Sequence, residues 1–282
     1  MKVGFIGLGT IGGPMAEQLL EPGFETSVYD VSAAAMALFE GKAHRAASPA
    51  DLGARATLVG ICVHNDAQVE SVVTGRKGLL ETMGKDGIIA VHSTVRTSTV
   101  QALAETAAAK GVALIDAAVS GGPIGARARN LVCMVGGDAD IVERARPLLK
   151  AYSGNIIHAG PVGAGMALKM SNNLVTYIQL MAALEGYRLA EALGLDHEML
   201  TSVMKDNGNL TGSMGLYMKY RRELPGQIGA AAFRKTQLDL ANVGEKDVGL
   251  ALEMGEQHDV YMPTTAEVLK TMRENIFLGL PE

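Results

Sequence analysis

A lysine and two asparagines occur at helical spacing in one apolar stretch of the chain. Lys169 precedes Asn172 and Asn173 by three and four residues, which places the three side chains on one face of a helix. A lysine can exchange a proton with a substrate when its surroundings lower its pKa from about 10.4. Lys169 and Asn173 are therefore candidate catalytic residues; the alternative is a lysine that reaches solvent beside two solvated amides.

A glycine-rich turn near the N-terminus has the spacing GxGxxG. It follows the apolar run Val3–Ile6 and precedes a helical pattern. At such a junction the glycines permit a tight turn, a close approach of backbone to a pyrophosphate, and close packing of helix on strand. The sequence therefore predicts a dinucleotide site, with an ordinary glycine-rich turn as the alternative. The residues of this turn are Gly7, Leu8, Gly9, Thr10, Ile11 and Gly12.

Asp30 ends the second apolar run, 18 residues after Gly12. An acidic residue at this point can accept a hydrogen bond from a ribose 2′-hydroxyl and repels a 2′-phosphate. Val31 and Ser32 follow, where an arginine would suit a phosphate. The pattern favours NAD over NADP; the alternative is that Asp30 caps the next helix.

Other polar residues follow apolar runs, at the strand ends where ligands bind in open α/β sheets. His64 follows one run, which ends at Val63, and Thr94 follows another. Ser120, Gly121 and Gly122 form a loop whose N–H groups and hydroxyl can hold a carboxylate, or a plain turn. No histidine has partners at metal-ligand spacing, so the sequence predicts no metal site.

Alternating strands and helices must position these residues. The apolar runs are continuous, which predicts strands buried on both faces of a parallel sheet, and their alternation with helical stretches predicts a doubly wound α/β fold. The predicted strands are Val3–Ile6, Thr26–Tyr29, Leu58–Val63, Ile88–Val91, Ala113–Ile115 and Leu131–Val135.

The pattern becomes helical after Pro161. One helix is predicted from Met166 to Leu193, ended by Gly194, and helical patterns continue to Asn275. The Gly- and Pro-rich stretch Glu223–Ala232 is predicted to be a loop. We therefore predict two domains, at residues 1–162 and 163–282, joined by the long helix.

Composition limits the function classes. The chain has 282 residues, a formal net charge of −5 and two cysteines. The acidic balance argues against nucleic-acid binding, and two cysteines cannot form a disulfide scaffold. No apolar run reaches the ~18 residues of a membrane span. These features predict a cytoplasmic protein that binds neither membrane nor nucleic acid.

Four stretches together resemble the β-hydroxyacid dehydrogenases, the family of 3-hydroxyisobutyrate dehydrogenase and tartronate semialdehyde reductase. They are GLGTIGGPMA at 7–16, DAAVSGG at 116–122, GAGMALKMSNN at 163–173 and KDVGLALE at 246–253. The resemblance implies a Rossmann domain and an all-α domain with the active site between them. It implies that a nicotinamide cofactor oxidises a β-hydroxy acid, or that the reverse semialdehyde reduction occurs. It also implies a homodimer or homotetramer.

The resemblance assigns roles to individual residues. Lys169 matches the catalytic lysine and Asn173 an asparagine that orients substrate. Ser120, Gly121 and Gly122 match the loop that binds the substrate carboxylate. Lys246 and Thr94 match residues beside the cofactor, and Asp30 matches the acidic residue of NAD-preferring members.

The chain departs from the family pattern at several positions. Gln18 stands where asparagine is common, and Arg129 where glycine is usual. A guanidinium near the substrate loop can pair with a second carboxylate or crowd the site, so we expect Arg129 to influence substrate choice. Phe233 lies farther from Lys246 than in relatives. Alternative functions are an imine reductase and a catalytically silent NAD-binding protein.

Overall fold

The computed structural model describes residues 1–280, and the side chains of all of them except Ser213. The chain forms two compact units, Met1–Lys169 and Met170–Glu282. This boundary lies inside a long helix, whereas the sequence analysis starts the second domain at the beginning of that helix. The proposed division at 162–163 stays a prediction.

The first unit contains eight strands and the helices between them. Its strands are β1 Lys2–Ile6, β2 Glu25–Tyr29, β3 His44–Arg45, β4 Leu58–Ile61, β5 Ile88–Val91, β6 Ala113–Ser120, β7 Leu131–Gly136 and β8 Ser153–Gly160. Its helices are α1 Gly12–Glu17, α2 Ala33–Ala37, α3 Pro49–Gly53, α4 Asp66–Thr74, α5 Thr97–Ala108, α6 Gly122–Arg127 and α7 Ala139–Lys150, with 3-10 turns at Gln18–Leu20 and Leu79–Glu81.

The strands form one sheet in the order β3-β2-β1-β4-β5-β6-β7-β8. The chain passes from β1 to β2 on one side and later to β4 on the other, so the strand order reverses beside β1. All pairs are parallel except β6 and β7, which are antiparallel. The predicted α/β doubly wound fold is confirmed. The sheet also contains β3 and β8, which no apolar run predicted, because β3 has two exposed residues and most of β8 is not buried.

Buried strands explain the continuous apolar runs. Every residue of β4 and β5 is buried, as expected for central parallel strands covered on both faces. The core beneath them includes the rings of Phe5 and His92, which stack with centroids 5.8 Å apart. Tyr152 packs edge-on against both rings and is fully buried.

The second unit is helical, and the long helix α8 crosses the boundary. The helices are α8 Ala164–Ala192, α9 His197–Asp206, α10 Gly212–Ile228, α11 Ala230–Gln257 and α12 Pro263–Phe277. The predicted long helix is confirmed, and Gly194 follows it with a φ of 71°. Among the described residues, no helix combines the length and the apolar character that crossing a bilayer requires.

The prediction of a loop at Glu223–Ala232 is wrong. The stretch is helical apart from a single break at Gly229, whose φ is 84°. Pro225 lies inside α10, and the Arg221 guanidinium donates a hydrogen bond to the Ile276 carbonyl, 2.6 Å away. Tertiary contacts of this kind override the weak helix propensity of glycine and proline.

Candidate functional site

The glycine turn between β1 and α1 is closely fitted to the protein on one side and open on the other. Gly7 has a φ of 92°, and a Cβ there would lie 2.2 Å from the Cys62 carbonyl oxygen. A Cβ on Gly12 would lie 2.0 Å from the Gly7 carbonyl oxygen, whereas one on Gly9 would meet no atom within 4 Å. The packed glycines make the tight turn possible, and Gly9 leaves the outer face accessible. The turn therefore fits the pyrophosphate of a dinucleotide.

Asp30 holds this turn from the end of β2. Its Oδ2 accepts a hydrogen bond from the Leu8 N–H at 2.6 Å, and its Oδ1 accepts one from the Ser32 N–H at 2.7 Å. The cap of α2 is Ser32, whose hydroxyl accepts from the Ala35 N–H. Asp30 is partly exposed, so the carboxylate that orders the turn is also available to a ligand.

The residues after β4 and β5 lie at the same edge of the sheet. The Val63 N–H donates to the hydroxyl of buried Ser93 at 2.8 Å, which joins the two strand ends. His64 is exposed, and its N–H donates to the side chain of Gln68 at 2.9 Å. Thr94 is partly buried and directly follows Ser93. These neighbours extend the edge that begins at the glycine turn.

The segment predicted as a carboxylate-binding loop divides between the end of a strand and the start of a helix. Ser120 is the last residue of β6, Gly121 is the N-cap of α6, and Gly122 is the first residue of that helix. The strand continues beyond its predicted end at Ile115, and the apolar residues on both sides of Asp116 are buried in it. Because β5 and β6 are parallel, Ser120 lies at the same sheet edge as Thr94.

Arg129 interacts with the segment after α1. Its Nε donates to the Gln18 side-chain oxygen at 2.7 Å, and its guanidinium forms an ion pair with Glu21 at 2.5 Å. Its φ of 55° is in the region that favours glycine, which is the residue usual at this position in the resemblance. The two departures from the family pattern, at Gln18 and Arg129, thus contact each other. An effect of Arg129 on substrate choice stays a prediction.

The candidate catalytic lysine is buried near the start of α8. Lys169 is only 8% exposed, which is unusual for lysine and argues against a side chain that reaches solvent, whereas the neighbouring Asn172 is exposed. The start of its helix is held by Asp116, which accepts hydrogen bonds from the N–H groups of Gly163 and Met166, each at 2.7 Å. Asp116 is fully buried, and this burial raises the pKa of its carboxyl while the two backbone bonds lower it.

Asn173 and Lys246 are joined through an aspartate for which the sequence analysis proposed no role. Asn173 donates from Nδ2 to Oδ2 of Asp247 at 2.7 Å, and Lys246 Nζ lies 3.1 Å from Oδ1. Asn173 and Asp247 are buried, whereas Lys246 is about one-third exposed. The signal for Asp247 was its position: an acidic residue between apolar helical positions, next to Lys246.

The close approach of α11 to α8 makes this network possible. A Cβ on Gly244 would lie 2.9 Å from the ring of Tyr177 and 2.6 Å from the sulfur of Met272. Burial raises the pKa of the Tyr177 phenol, and the nearby Asp247 carboxylate raises it further. In the part of the chain that the structure describes, no cluster of three or more His, Cys, Asp or Glu could hold a metal ion.

Known proteins with similar sequences and structures identify the family. A family model described as the NAD binding domain of 6-phosphogluconate dehydrogenase matches residues 2–160. A second, described as NAD-binding of NADP-dependent 3-hydroxyisobutyrate dehydrogenase, matches residues 163–276.

Individual relatives cover most of the chain. The 3-hydroxyisobutyrate dehydrogenase of Pseudomonas aeruginosa is 37% identical over 89% of this chain and 84% of its own. The NAD-dependent L-serine dehydrogenase of the same organism is 33% identical over 100% of this chain and 94% of its own. A solved structure of Mycobacterium tuberculosis 3-hydroxyisobutyrate dehydrogenase with L-serine has a TM-score of 0.79 and 26% identity, covering 97% of this chain and 92% of that one. The chain therefore belongs to the β-hydroxyacid dehydrogenase family and is an NAD(P)-dependent oxidoreductase.

Proposed function

We propose that the protein interconverts a small β-hydroxy acid and its semialdehyde or keto acid, with Lys169 as the acid/base. The observation that carries this proposal is the burial of Lys169 on α8, one helical turn before the buried Asn173. A lysine amine kept away from bulk water can exchange a proton with a bound hydroxyl group without competition from solvent.

The two halves of the reaction fall to different groups. A bound nicotinamide supplies the hydride chemistry. Lys169 would accept the proton of the substrate hydroxyl during oxidation and return a proton to the same oxygen during reduction. Asn173 orients the substrate, and the hydroxyl of Ser120 with the N–H groups of Gly121 and Gly122 binds its carboxylate.

We assign cofactor binding to residues of the glycine turn and of the strand ends at this edge of the sheet. Gly7 to Gly12 would hold the pyrophosphate, Asp30 the ribose, and Val63, His64 and Thr94 the part toward the nicotinamide. Lys246 is carried over from the resemblance as a further cofactor-binding residue. We propose NAD as the preferred cofactor, because a 2′-phosphate would meet the negative charge of Asp30.

The substrate is a small carboxylate. The relatives act on compounds that share a hydroxymethyl group near a carboxylate, as the names 3-hydroxyisobutyrate dehydrogenase and L-serine dehydrogenase state. Lys169 and Lys246 would attract such an anion electrostatically. A cytoplasmic location and the lack of a nucleic-acid or membrane partner stay predictions.

We also propose a homodimer or homotetramer that assembles through the helical domain. Large apolar side chains around the end of α8 and on α9 are between about half and two-thirds exposed, which is costly in water. They are Leu189, Leu193, Leu195, Met199 and Val203. Light scattering should report a mass two or four times that of the chain; a monomer at micromolar concentration would contradict this.

Initial rates test the activity. Purified protein is assayed with NAD and NADP on 3-hydroxyisobutyrate, glycerate, 3-hydroxypropionate, serine, 4-hydroxybutyrate and threonate. Lys169→Ala should lower kcat on the best substrate by roughly 10²- to 10⁴-fold, the usual contribution of general acid–base catalysis, while NADH binding persists. The exposed Lys110→Ala serves as the matched control. Full activity of Lys169→Ala would refute its role, and NADH binding with no turnover by the wild type would favour an imine reductase or a silent binding protein.

A further inference from the structure

A carboxylate is buried beneath the first turn of α8, and the proposed function gives it no task. Asp116 lies in the middle of strand β6 and is fully buried. Its oxygens accept N–H groups from the start of the helix, including Gly163 on Oδ1 and Met166 on Oδ2. Asp116 thus caps the helix from a different element, 47 residues away along the chain.

The backbone of β7 and that of the first turn of α8 pack so closely around this carboxylate that no side chain fits at two glycines. A Cβ on Gly165 would lie 2.4 Å from the Met134 carbonyl oxygen and 2.9 Å from Oδ2 of Asp116. A Cβ on Gly136 would lie 2.4 Å from Oδ1 of Asp116. Glycines on both sides therefore let the start of α8 pack directly on β6 and β7, and the side chain of Asp116 fills the space between them.

A buried acid is an expensive way to cap a helix. A serine or aspartate preceding the first turn can satisfy the same N–H groups at the surface, without the cost of removing a carboxylate from water. The buried acid adds a fixed connection between helix and strand, favoured by the partial positive charge of the helix N-terminus. The same strand carries Ser120 four residues further on, and the same helix carries Lys169 three residues after Met166.

We propose that Asp116 is the positioning residue for Lys169. By holding the first turn of α8 against β6, it fixes Lys169 relative to Ser120 at the other end of the substrate. This inference rests on the proposed function, because it assigns to Asp116 an effect exerted through the catalytic lysine.

The first test replaces Asp116 alone and together with Lys169. Asp116→Asn keeps the size of the side chain but sets an amide N–H against one of the two backbone N–H groups. We expect kcat to fall by roughly 10- to 100-fold, the effect of a displacement of about 1 Å, with the Kd for NADH changed less than twofold. In the Lys169→Ala background the same substitution should cause no further loss of kcat.

A glycine substitution tests the same contact without changing a charge. Gly165→Ala should lower kcat in the same way, because the added methyl pushes the helix start away from Met134 and Asp116. Gly186→Ala, on the same helix, is the matched control, since a Cβ there would meet no atom within 4 Å. Asp51→Asn controls for loss of an aspartate that also accepts a backbone N–H, from Ala47.

Hydrogen exchange provides a readout that needs no turnover. The peptide around Gly163 and Met166 should exchange at least tenfold faster in Asp116→Asn and at an unchanged rate in Asp51→Asn. Unchanged exchange would overturn the proposal, and so would a full additional loss of kcat in the double variant. If Lys169→Ala is fully active, the proposed function fails instead, whatever the exchange experiment shows.

Discussion

At the scale of single residues, two carboxylates link the candidate site to its surroundings. Asp30 accepts a hydrogen bond from the glycine turn, and Asp247 joins Asn173 to Lys246. Charged acceptors form stronger hydrogen bonds than neutral ones, by roughly a factor of two. Each carboxylate therefore orders residues that we assign to the cofactor or the substrate.

Replacing Asp30 should change the choice of cofactor. Asp30→Ala removes the charge that repels a 2′-phosphate, and it also removes the acceptor of the Leu8 N–H. We expect the ratio of kcat/KM for NAD to that for NADP to fall at least tenfold, or about 1.4 kcal/mol. Rates with both cofactors measure this ratio, with Asp51→Ala as control. An unchanged ratio would show that Asp30 only supports the turn.

Replacing Asp247 should affect both stability and activity. Asp247→Asn replaces the carboxylate beside Lys246 and Asn173 by an amide, which offers one acceptor oxygen where the carboxylate offers two, so a buried polar group loses its partner. We expect a loss of about 1–3 kcal/mol in the free energy of unfolding and a lower kcat. Asp239→Asn, an exposed position on the same helix, should change neither. Equal stability of the two variants in urea titrations would contradict the network.

At the scale of elements, glycines decide where helices meet. Gly165 lets α8 pack on the sheet, and Gly244 lets α11 pack against the part of α8 that carries Tyr177. Asp116 reaches the N–H groups at the start of α8, and Asp247 reaches Asn173, only because the backbones are close at these two points. The same residue type therefore allows close packing at two points along α8, one before Lys169 in the chain and one after it.

Gly244→Ala should destabilise the helical unit. The methyl group would overlap Met272 and Tyr177, and overpacking of this kind costs about 1–3 kcal/mol. Gly249→Ala on the same helix meets no atom within 4 Å and should instead stabilise the helix by up to about 1 kcal/mol. Thermal unfolding distinguishes the two variants, and a Tm for Gly244→Ala at or above wild type would rule out the tight contact.

At the scale of the whole molecule, stability should depend on pH through a histidine in the core. His92 contacts the Ala117 carbonyl at 2.7 Å and the Tyr152 hydroxyl at 2.9 Å. Its complete burial lowers the pKa of the ring from 6.5 to about 4, although the bond to Ala117 opposes this. The histidine is therefore neutral in the folded protein at pH values where the unfolded chain is protonated.

Mild acid should weaken the fold through His92. Because the unfolded state binds the proton first, stability is complete above pH 6.5 and falls as the pH drops toward 4, by about 1.4 kcal/mol per pH unit. Urea titrations between pH 7 and 5.5 measure this slope. His92→Gln, which does not titrate, should flatten it; an equal slope in that variant would assign the effect to another group.

The sequence by itself determined most of the first unit and predicted the residues of the candidate site. Local spacing carries that information: continuous apolar runs predict strands buried on both faces, GxGxxG predicts a tight turn, and an offset of four residues places Lys169 and Asn173 on one helix face. Such patterns depend on a few neighbouring residues, so they can be read before the fold is known. The family resemblance added roles that spacing alone leaves open.

Only the tertiary structure decided the rest, because the relevant contacts join residues far apart in the chain. Strand β8 has almost no apolar signal and forms by pairing with β7. The stretch around Pro225 is helical because tertiary contacts, such as that of Arg221 with the Ile276 carbonyl, stabilise the helix, although its composition favours a loop. Asp116 and Asp247 looked like ordinary acidic residues until folding placed backbone N–H groups, an amide and an ammonium around them. Propensity is local, whereas satisfying a buried charge requires partners that only the folded chain brings together.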